Sequence, residues 1–158
     1  MTVCDRSLTA TVYLVRDCRV LLHLHKKYKT WFPVGGHMES HEFPHETALR
    51  EVREETGLTV TLLSTEVAPP MDTARVERLP APFCLLYEGI GHEEEFLDFI
   101  YIARSEAGEP CPQTGESRDF RWFTREELLA EDIKPHVRNT ALAVLDYVAQ
   151  AQRKDITV

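Results

Sequence analysis

The most informative segment of the chain is GHMESHEFPHETALREVREETGL, residues 36–58. Its second part predicts a helix over residues 44–57, because Pro44 suits a first helical turn and Gly57 suits the position just past the end. At about 100° per residue, one flank of this helix is predicted to face a sheet. The residues on that flank are Ala48, Leu49, Val52 and Thr56.

The same helix concentrates negative charge on another side. Glu51, Glu54 and Glu55 lie three and four residues apart, so their carboxylates are neighbours on the helix surface. Like charges at these spacings cost roughly 0.2–0.5 kcal/mol per pair. Arg50 lies beside them and is expected to pair with Glu46 or Glu54, but one arginine does not balance the cluster. A solvated, ion-paired surface is the ordinary explanation of such a charge run.

The residues upstream favour a metal site instead. Gly35 and Gly36 precede the helix, and Glu42 lies in the turn that leads into it. A glycine pair lets the backbone approach a ligand closely and leaves a carbonyl oxygen able to point inward. Several carboxylates together with a carbonyl form an oxygen-rich set suited to Mg²⁺ or Mn²⁺. A divalent cation would therefore offset the repulsion on the helix.

The composition of the chain is that of one soluble globular domain, which we place over residues 1–158. Hydrophobic residues make up 43% and charged residues 28%, and the apolar runs are far shorter than a membrane span. No signal peptide is evident. The cysteines are scattered and form no C-x-x-C pair, which indicates reduced thiols of a cytoplasmic protein. They are Cys4, Cys18, Cys84 and Cys111.

The net charge of −8 argues against binding to a nucleic-acid backbone, which needs a basic surface. It is compatible with a small anionic substrate, provided that cations reverse the sign of the charge locally. We therefore expect no nucleic-acid partner and no membrane.

Other segments predict a layered fold. Two Val- and Leu-rich runs around the turn RDCR predict a hairpin, and LTVTLLST, APFCLLYEGI, EFLDFIYIARS and DFRWF predict further strands. Thr124 and Glu127 form a capping box before a short helix, and a last helix is predicted over residues 135–152. Strands mixed with helices indicate an α/β or α+β domain.

Residues 36–58 match the Nudix box, G-x5-E-x7-R-E-U-x-E-E-x-G-U with U aliphatic, at every constrained position. The order of strands, box helix, later strands and final helix also resembles this MutT-like family across most of the chain. The resemblance implies an α/β/α sandwich with a mixed central sheet. The matching positions are Gly36, Glu42, Arg50, Glu51, Val52, Glu54, Glu55, Gly57 and Leu58.

The resemblance also implies an activity. Nudix enzymes hydrolyse a diphosphate linkage in a nucleoside diphosphate attached to another group, with Mg²⁺ or Mn²⁺. Carried over to this sequence, Glu51, Glu54 and Glu55 would bind the metal, with the Gly35 carbonyl as a further ligand. Metal ions screen the negative phosphate oxygens and hold the nucleophile near phosphorus. In some members the glutamate that matches Glu51 also helps to activate the attacking water.

Further roles follow from the same resemblance. Arg50 would orient the glutamates, and Glu42 would brace the loop through an ion pair. Several members supply the general base from a downstream loop, where the sequence offers two segments. We favour Glu116, because it lies shortly before the strand that carries Trp122. The alternatives are Glu93, Glu94 and Glu95, and each of these glutamates is equally compatible with a solvated loop position.

Other residues have two interpretations each. His37, His41 and His45 recur every four residues, but Pro44 and its loop break the geometry that a histidine metal site needs. His23 and His25 alternate on a strand, so they line a substrate cleft or are exposed polar residues. Four aromatic residues are expected mainly in the core, although any of them could stack on a base. They are Tyr13, Trp31, Phe32 and Trp122.

These observations favour a metal-dependent hydrolase of a nucleoside diphosphate derivative, such as a (deoxy)nucleoside triphosphate. A nucleotide sugar or a dinucleoside polyphosphate is the alternative substrate. A non-catalytic nucleotide-sensing module is a further alternative, disfavoured because every box glutamate is present. A homodimer is expected only because members of the family are often dimers.

Overall fold

The computed structural model describes residues 6–63, 74–89, 94–113, 115 and 119–155. Within them lie eight strands and three helices. The strands are β1 Arg6–Arg16, β2 Arg19–Leu24, β3 Trp31–Phe32, β4 Val34–His37, β5 Thr61–Leu62, β6 Cys84–Glu88, β7 Glu95–Arg104 and β8 Phe120–Phe123. The helices are α1 Pro44–Thr56, α2 Arg125–Ala130 and α3 Pro135–Asp155.

One mixed sheet is built around the long strands β1 and β7, which run parallel to each other with Arg6 opposite Glu95 and Val15 opposite Arg104. The other strand pairs among the described residues are antiparallel. Strand β1 pairs with β2 and β4, β7 pairs with β5 and β6, and β2 pairs with β3 and β8. A parallel central pair needs both faces covered, and here helices cover them.

The helices lie on opposite faces of the sheet. On one face, Ala48 and Val52 of α1 pack with alternate β1 residues such as Val12 and Leu14. On the other face, α2 and α3 pack through Leu128, Val137, Ala141, Val144, Leu145 and Val148 onto the opposite residues of the same strands. The α/β sandwich with a mixed sheet that the sequence predicts is therefore confirmed.

The box helix begins and ends where the sequence predicts. Glu46 Oε2 accepts a hydrogen bond of 2.8 Å from the Phe43 N–H at the start. Gly57 has a φ of 69°, which favours glycine, and its N–H donates to Arg53 O at 2.9 Å. The predicted apolar flank is wrong at one position, because Leu49 is only half-buried. The residues buried against the sheet are Thr47, Ala48, Val52 and Thr56.

Two further predictions are refined by the structure. The hairpin of β1 and β2 turns at Asp17 and Cys18, both with positive φ, which matches the twist of a two-residue connection. The strand predicted over residues 58–65 is confined to β5, and residues 64 and 65 lie outside the described residues.

Thiols at Cys18, Cys84 and Cys111 are free, and Cys4 lies outside the described residues. In the part of the chain that the structure describes, every helix is too short or too polar to cross a membrane.

Candidate active site

The glycine pair of β4 lies directly beside β1, where Gly35 is opposite Thr11 and Gly36 opposite Ala10. A Cβ at Gly35 would be 2.6 Å from Ala10 O and 2.8 Å from Thr11 Cα. A Cβ at Gly36 would be 2.8 Å from Glu51 Oε2. The first glycine therefore admits the backbone of β1, and the second admits a carboxylate of α1.

Arg50 is the centre of the polar network on α1. Its Nε and Nη2 donate to the two carboxylate oxygens of Glu42 at 2.6 and 3.0 Å. Its Nη1 donates to Glu51 Oε1 at 2.7 Å and to Glu54 Oε2 at 3.1 Å, and its Nη2 also reaches His37 O at 3.0 Å. Of the two partners expected from spacing, Arg50 binds Glu54 and not Glu46, whose carboxylate caps the helix.

Glu42 joins the loop to the helix. Its Oε2 accepts hydrogen bonds from Thr47 Oγ1 at 2.7 Å and from the Glu39 N–H at 3.1 Å, in addition to those from Arg50. Its side chain is only 10% exposed. The hydrogen bond from Arg50, followed by those from Thr47 and Glu39, lowers the pKa of Glu42 to about 2. The hydrogen bond from Glu42 likewise raises the pKa of Arg50.

The remaining two glutamates lie at the end of α1. Glu54 has a side chain that is 41% exposed, and Glu55 Oε2 accepts a hydrogen bond from the Gly35 N–H at 3.1 Å. Together with Glu51 and the Gly35 carbonyl, they offer the oxygen ligands that Mg²⁺ prefers. Gly36 supplies a space beside Glu51 that any side chain would fill.

The donor set thus fits a divalent ion chemically. Among the described residues, however, no group of three or more His, Cys, Asp or Glu side chains converges as a metal-binding cluster. Arg50 instead binds one oxygen each of Glu51 and Glu54. Ligation by these glutamates would require them to share their carboxylates between the guanidinium and the ion.

A cleft of about 910 Å³ has Gly35, Gly36 and Glu55 among its lining residues, whereas Glu51 and Glu54 do not line it. Its floor is the face of the sheet formed by residues of β1 and β7, and its wall includes Tyr28 and Phe32. A large cleft lined by Glu55 and the glycine pair suits a phosphate-bearing ligand once a cation neutralises the nearby carboxylates.

Residues 5–143 match the model of the NUDIX domain. The chain belongs to the Nudix hydrolase family. Nudix hydrolases are pyrophosphohydrolases that act on phosphorus-containing anhydrides of small nucleotide-type substrates, and they generally use divalent metals. The search of the curated proteins gives no match.

Solved Nudix structures share this fold. A Nudix-family hydrolase from Clostridium perfringens is 33% identical, with a TM-score of 0.80 over 91% of this chain and 99% of that chain. A MutT Nudix hydrolase from Burkholderia pseudomallei is 20% identical, with a TM-score of 0.62 over 90% of this chain and 97% of that chain. An Ap4A hydrolase from C. elegans is 13% identical, with a TM-score of 0.63 over 90% and 98%.

His23 of β2 and His25, just past the end of that strand, line the Nudix cleft and are not exposed strand residues. Burial, and then the neighbouring His25, lower the pKa of His23 to about 4. The pKa of His25 is also lowered, by burial and then by Lys134 and Lys27. Both rings are therefore neutral at pH 7, so they present hydrogen-bonding edges and apolar faces to a ligand instead of positive charge.

His37 lies in β4, His41 in a loop and His45 in α1, and these three described histidines form no metal-binding group. His41 lies 3.8 Å from a carboxylate oxygen of Glu39, and the ring of His45 stacks on Phe43. His37 packs edge-on against Phe96, with ring centroids 5.8 Å apart. Their rings have different neighbours, as the break at Pro44 predicts.

The aromatic residues divide between core and cleft. Tyr13 is 2% exposed, and Trp31 packs on Phe123 with ring centroids 5.0 Å apart. Trp122 lies under the guanidinium of Arg16 at 4.5 Å. Tyr13 and Phe32 both line the cleft, and the Phe32 ring lies beside Tyr28 and His25 at centroid distances of 5.7 and 5.4 Å.

The candidate general bases have different outcomes. Glu116 and Glu93 lie outside the described residues. Glu94 is exposed and lines the cleft, whereas Glu95 lies 3.5 Å from Arg6 in an ion pair.

Three residues that line the cleft were not identified as candidate site residues from the sequence. Asp98 is a single carboxylate within the apolar strand EFLDFIYIAR, and this interruption was the signal that could have identified it. Lys134 and His136 flank Pro135 at the start of α3, where nothing in the local sequence indicates that they border the cleft.

Proposed function

We propose that this Nudix hydrolase cleaves the diphosphate linkage of a nucleoside diphosphate joined to another group, such as a (deoxy)nucleoside triphosphate, with Mg²⁺ or Mn²⁺ as cofactor. The observation that carries the proposal is the set of α1 carboxylates, in which Arg50 binds Glu51 and Glu54, and Glu55 lines a large cleft. We take the whole chain, residues 1–158, to act as one such domain.

In this proposal, Glu51, Glu54, Glu55 and the Gly35 carbonyl hold the metal. A divalent ion, when bound, supplies positive charge that offsets the charge on the phosphate oxygens. Without such a cation, an anionic substrate would meet a carboxylate cluster on a protein of net charge −8. Glu51 has a second proposed role, in activating the attacking water, as the matching glutamate has in some members of the family.

Arg50 and Glu42 are positioning residues in this mechanism. The guanidinium is held on the Glu42 side by two hydrogen bonds, so its Nη1 is directed at Glu51 and Glu54. A planar, bidentate contact of this kind fixes orientation better than a single point charge would. The carboxylates of Glu51 and Glu54 are thereby held at the guanidinium, and each would share its oxygens between Arg50 and a bound metal ion.

We propose Glu116 as the general base. The segment that precedes it is attached to the end of α1, where the Cys111 N–H donates to Thr56 O at 2.7 Å and the Gln113 N–H donates to Glu54 O at 3.1 Å. Residue 116 therefore follows within three residues of a backbone contact to a proposed metal ligand. Glu94, which lines the cleft, is the alternative base.

The test is a turnover screen with Mg²⁺, Mn²⁺ or EDTA over nucleoside triphosphates, nucleotide sugars and dinucleoside polyphosphates. Cleavage of a diphosphate linkage yields a nucleoside monophosphate and the remaining phosphorylated group, which chromatography identifies. Metal-dependent release of such products from any class supports the proposal and ranks the substrates. Measurable nucleotide binding without turnover of any compound would indicate a sensing module instead.

A further inference from the structure

The cleft floor contains a buried carboxylate that hydrolysis of the anhydride does not use. Asp98 is 6% exposed and lies opposite Thr9 in the pairing of β7 with β1. Thr9 in turn pairs with His37, the residue that follows the glycine pair. Two strand spacings therefore separate Asp98 from the box loop, about 10 Å across the sheet. The carboxylate lies away from the metal ligands but in the same cleft.

Hydroxyl groups satisfy only part of this carboxylate. Thr9 Oγ1 donates to Asp98 Oδ1 at 2.9 Å, and the Thr11 side chain also hydrogen-bonds to it. An ionised carboxylate has about four acceptor positions, so two hydroxyls leave capacity for further donors. A buried charge is costly unless it is hydrogen-bonded. The cleft is the side from which additional donors can reach Asp98.

The surroundings of Asp98 suit a flat heterocycle. Leu86 is its cross-strand partner in β6, and Phe96 lies two residues earlier on the same face of β7; both line the cleft. They provide apolar surface beside the carboxylate. On the opposite wall, Lys134 Nζ lies 4.8 Å from the ring centroids of both Tyr28 and Phe32. A ring between apolar walls could direct its N–H groups at the floor.

We propose, building on the proposed hydrolase function, that Asp98 is a specificity-determining residue whose carboxylate accepts hydrogen bonds from adjacent N–H donors of the substrate's heterocycle. Among common nucleobases, the guanine edge carries an imino and an amino N–H side by side, which matches a carboxylate bidentately. A ribose diol also carries adjacent donors, so the test must distinguish the base from the sugar.

The melting temperature of Asp98→Asn distinguishes a binding role for Asp98 from a purely structural one. Burial raises the pKa of Asp98, with the threonine hydrogen bonds and His136 opposing the shift and Glu88 adding to it. A carboxyl group with a raised pKa is less favourable when ionised in the folded protein than in the unfolded chain. Asp98→Asn keeps an oxygen for the threonine hydroxyls and removes the charge, so it should leave the melting temperature equal or higher.

The experiment measures equilibrium binding of GMP, IMP and dGMP by calorimetry to the wild type, to Asp98→Asn and to the control Asp132→Asn, an exposed aspartate outside the cleft. These monophosphates contain no anhydride, so the result does not depend on turnover. IMP lacks the amino group of GMP, and dGMP lacks the 2′-hydroxyl.

We expect the wild type and Asp132→Asn to bind GMP about tenfold or more tightly than IMP, because GMP donates one more hydrogen bond to a charged group. Asp98→Asn should lose most of this preference for GMP over IMP. An unchanged GMP-to-IMP ratio in Asp98→Asn, or no binding of any monophosphate to the wild type, would overturn the proposal. Loss of the GMP-to-dGMP ratio alone would overturn it in favour of the sugar. A lower melting temperature with unchanged selectivity would show that Asp98 is structural.

Discussion

The carboxylate of Glu51 occupies the space in which a side chain at Gly36 would lie. A Cβ on Gly36 would be 2.5 Å from Glu51 Cδ, whereas a Cβ on the adjacent Gly35 would be 2.6 Å from the backbone oxygen of Ala10. A glutamate tip can move aside, but the backbone of a central strand cannot. The two glycines are therefore required for different reasons, one for the position of a proposed metal ligand and one for strand pairing.

Alanine substitutions separate these requirements. We expect Gly36→Ala to fold with a free energy of unfolding within about 1 kcal/mol of the wild type, but to lose about tenfold or more in turnover as Glu51 is displaced. Gly35→Ala should instead lose about 1–3 kcal/mol, as in other overpacked sites. Urea denaturation and steady-state kinetics measure both quantities. Wild-type turnover in Gly36→Ala would show that the position of Glu51 is not critical.

Charge removal from the cluster tests metal binding directly. Glu54→Gln and Glu55→Gln should each lower turnover by about 10²-fold or more, because a proposed ligand is lost while the side-chain shape is kept. Neither should unfold the protein, since each relieves like-charge repulsion. Saturating Mg²⁺ or Mn²⁺ should raise the melting temperature of the wild type, and this rise should be smaller in both variants. Glu126→Gln, an exposed glutamate of α2, is the control, and equal rates in all three variants would contradict the metal assignment.

Arg50 should matter to stability as well as to activity. Arg50→Ala leaves Glu42, only 10% exposed, without its guanidinium, and we expect a loss of about 2 kcal/mol in the free energy of unfolding. Arg50→Lys should recover part of this loss, because a lysine cannot reproduce the bidentate contact. Arg53→Ala on the exposed side of the same helix serves as the control and should change stability by less than about 0.5 kcal/mol. Equal stability of the Arg50 and Arg53 variants would contradict a bracing role.

The low pKa of Glu42 predicts a specific pH dependence. Folding lowers the pKa of this carboxyl from 4.5 to about 2, so the unfolded chain binds its proton more readily. The stabilisation is therefore complete above about pH 5 and is lost as the pH falls towards 2. The difference in unfolding free energy between the wild type and Glu42→Gln should narrow over that range in urea titrations. Glu39→Gln, at an exposed neighbouring residue, is the control, and a constant difference for Glu42→Gln would count against the ionised contact.

The general base is resolved by pH–rate profiles. Glu116→Gln should lower kcat by about 10²-fold or more and remove the acidic limb of the profile, while Glu94→Gln should retain both the rate and the limb. The opposite pattern would assign the base to Glu94. Intact limbs in both variants would leave Glu51 as the residue that activates water.

Local sequence rules predicted most of the fold. The positions of Pro44 and Gly57 gave the limits of α1, and the composition of the strands gave the hairpin and the long strand β7. These features depend on neighbours along the chain, where steric and capping effects act over a few residues. The burial of Thr47 in place of Leu49 was not predictable in this way, because it depends on how α1 is rotated against β1 and β4.

The sequence alone determined the family, the carboxylate spacing on α1 and the need for a counter-charge, since all three are properties of one continuous segment. Which charged groups are in contact depends instead on how the chain folds. Arg50 reaches back over eight residues to Glu42, and Asp98 comes to rest beside Thr9, 89 residues away, in the cleft that opens from Gly35. Such contacts arise from strand pairing and loop closure, which bring together residues that no local pattern relates.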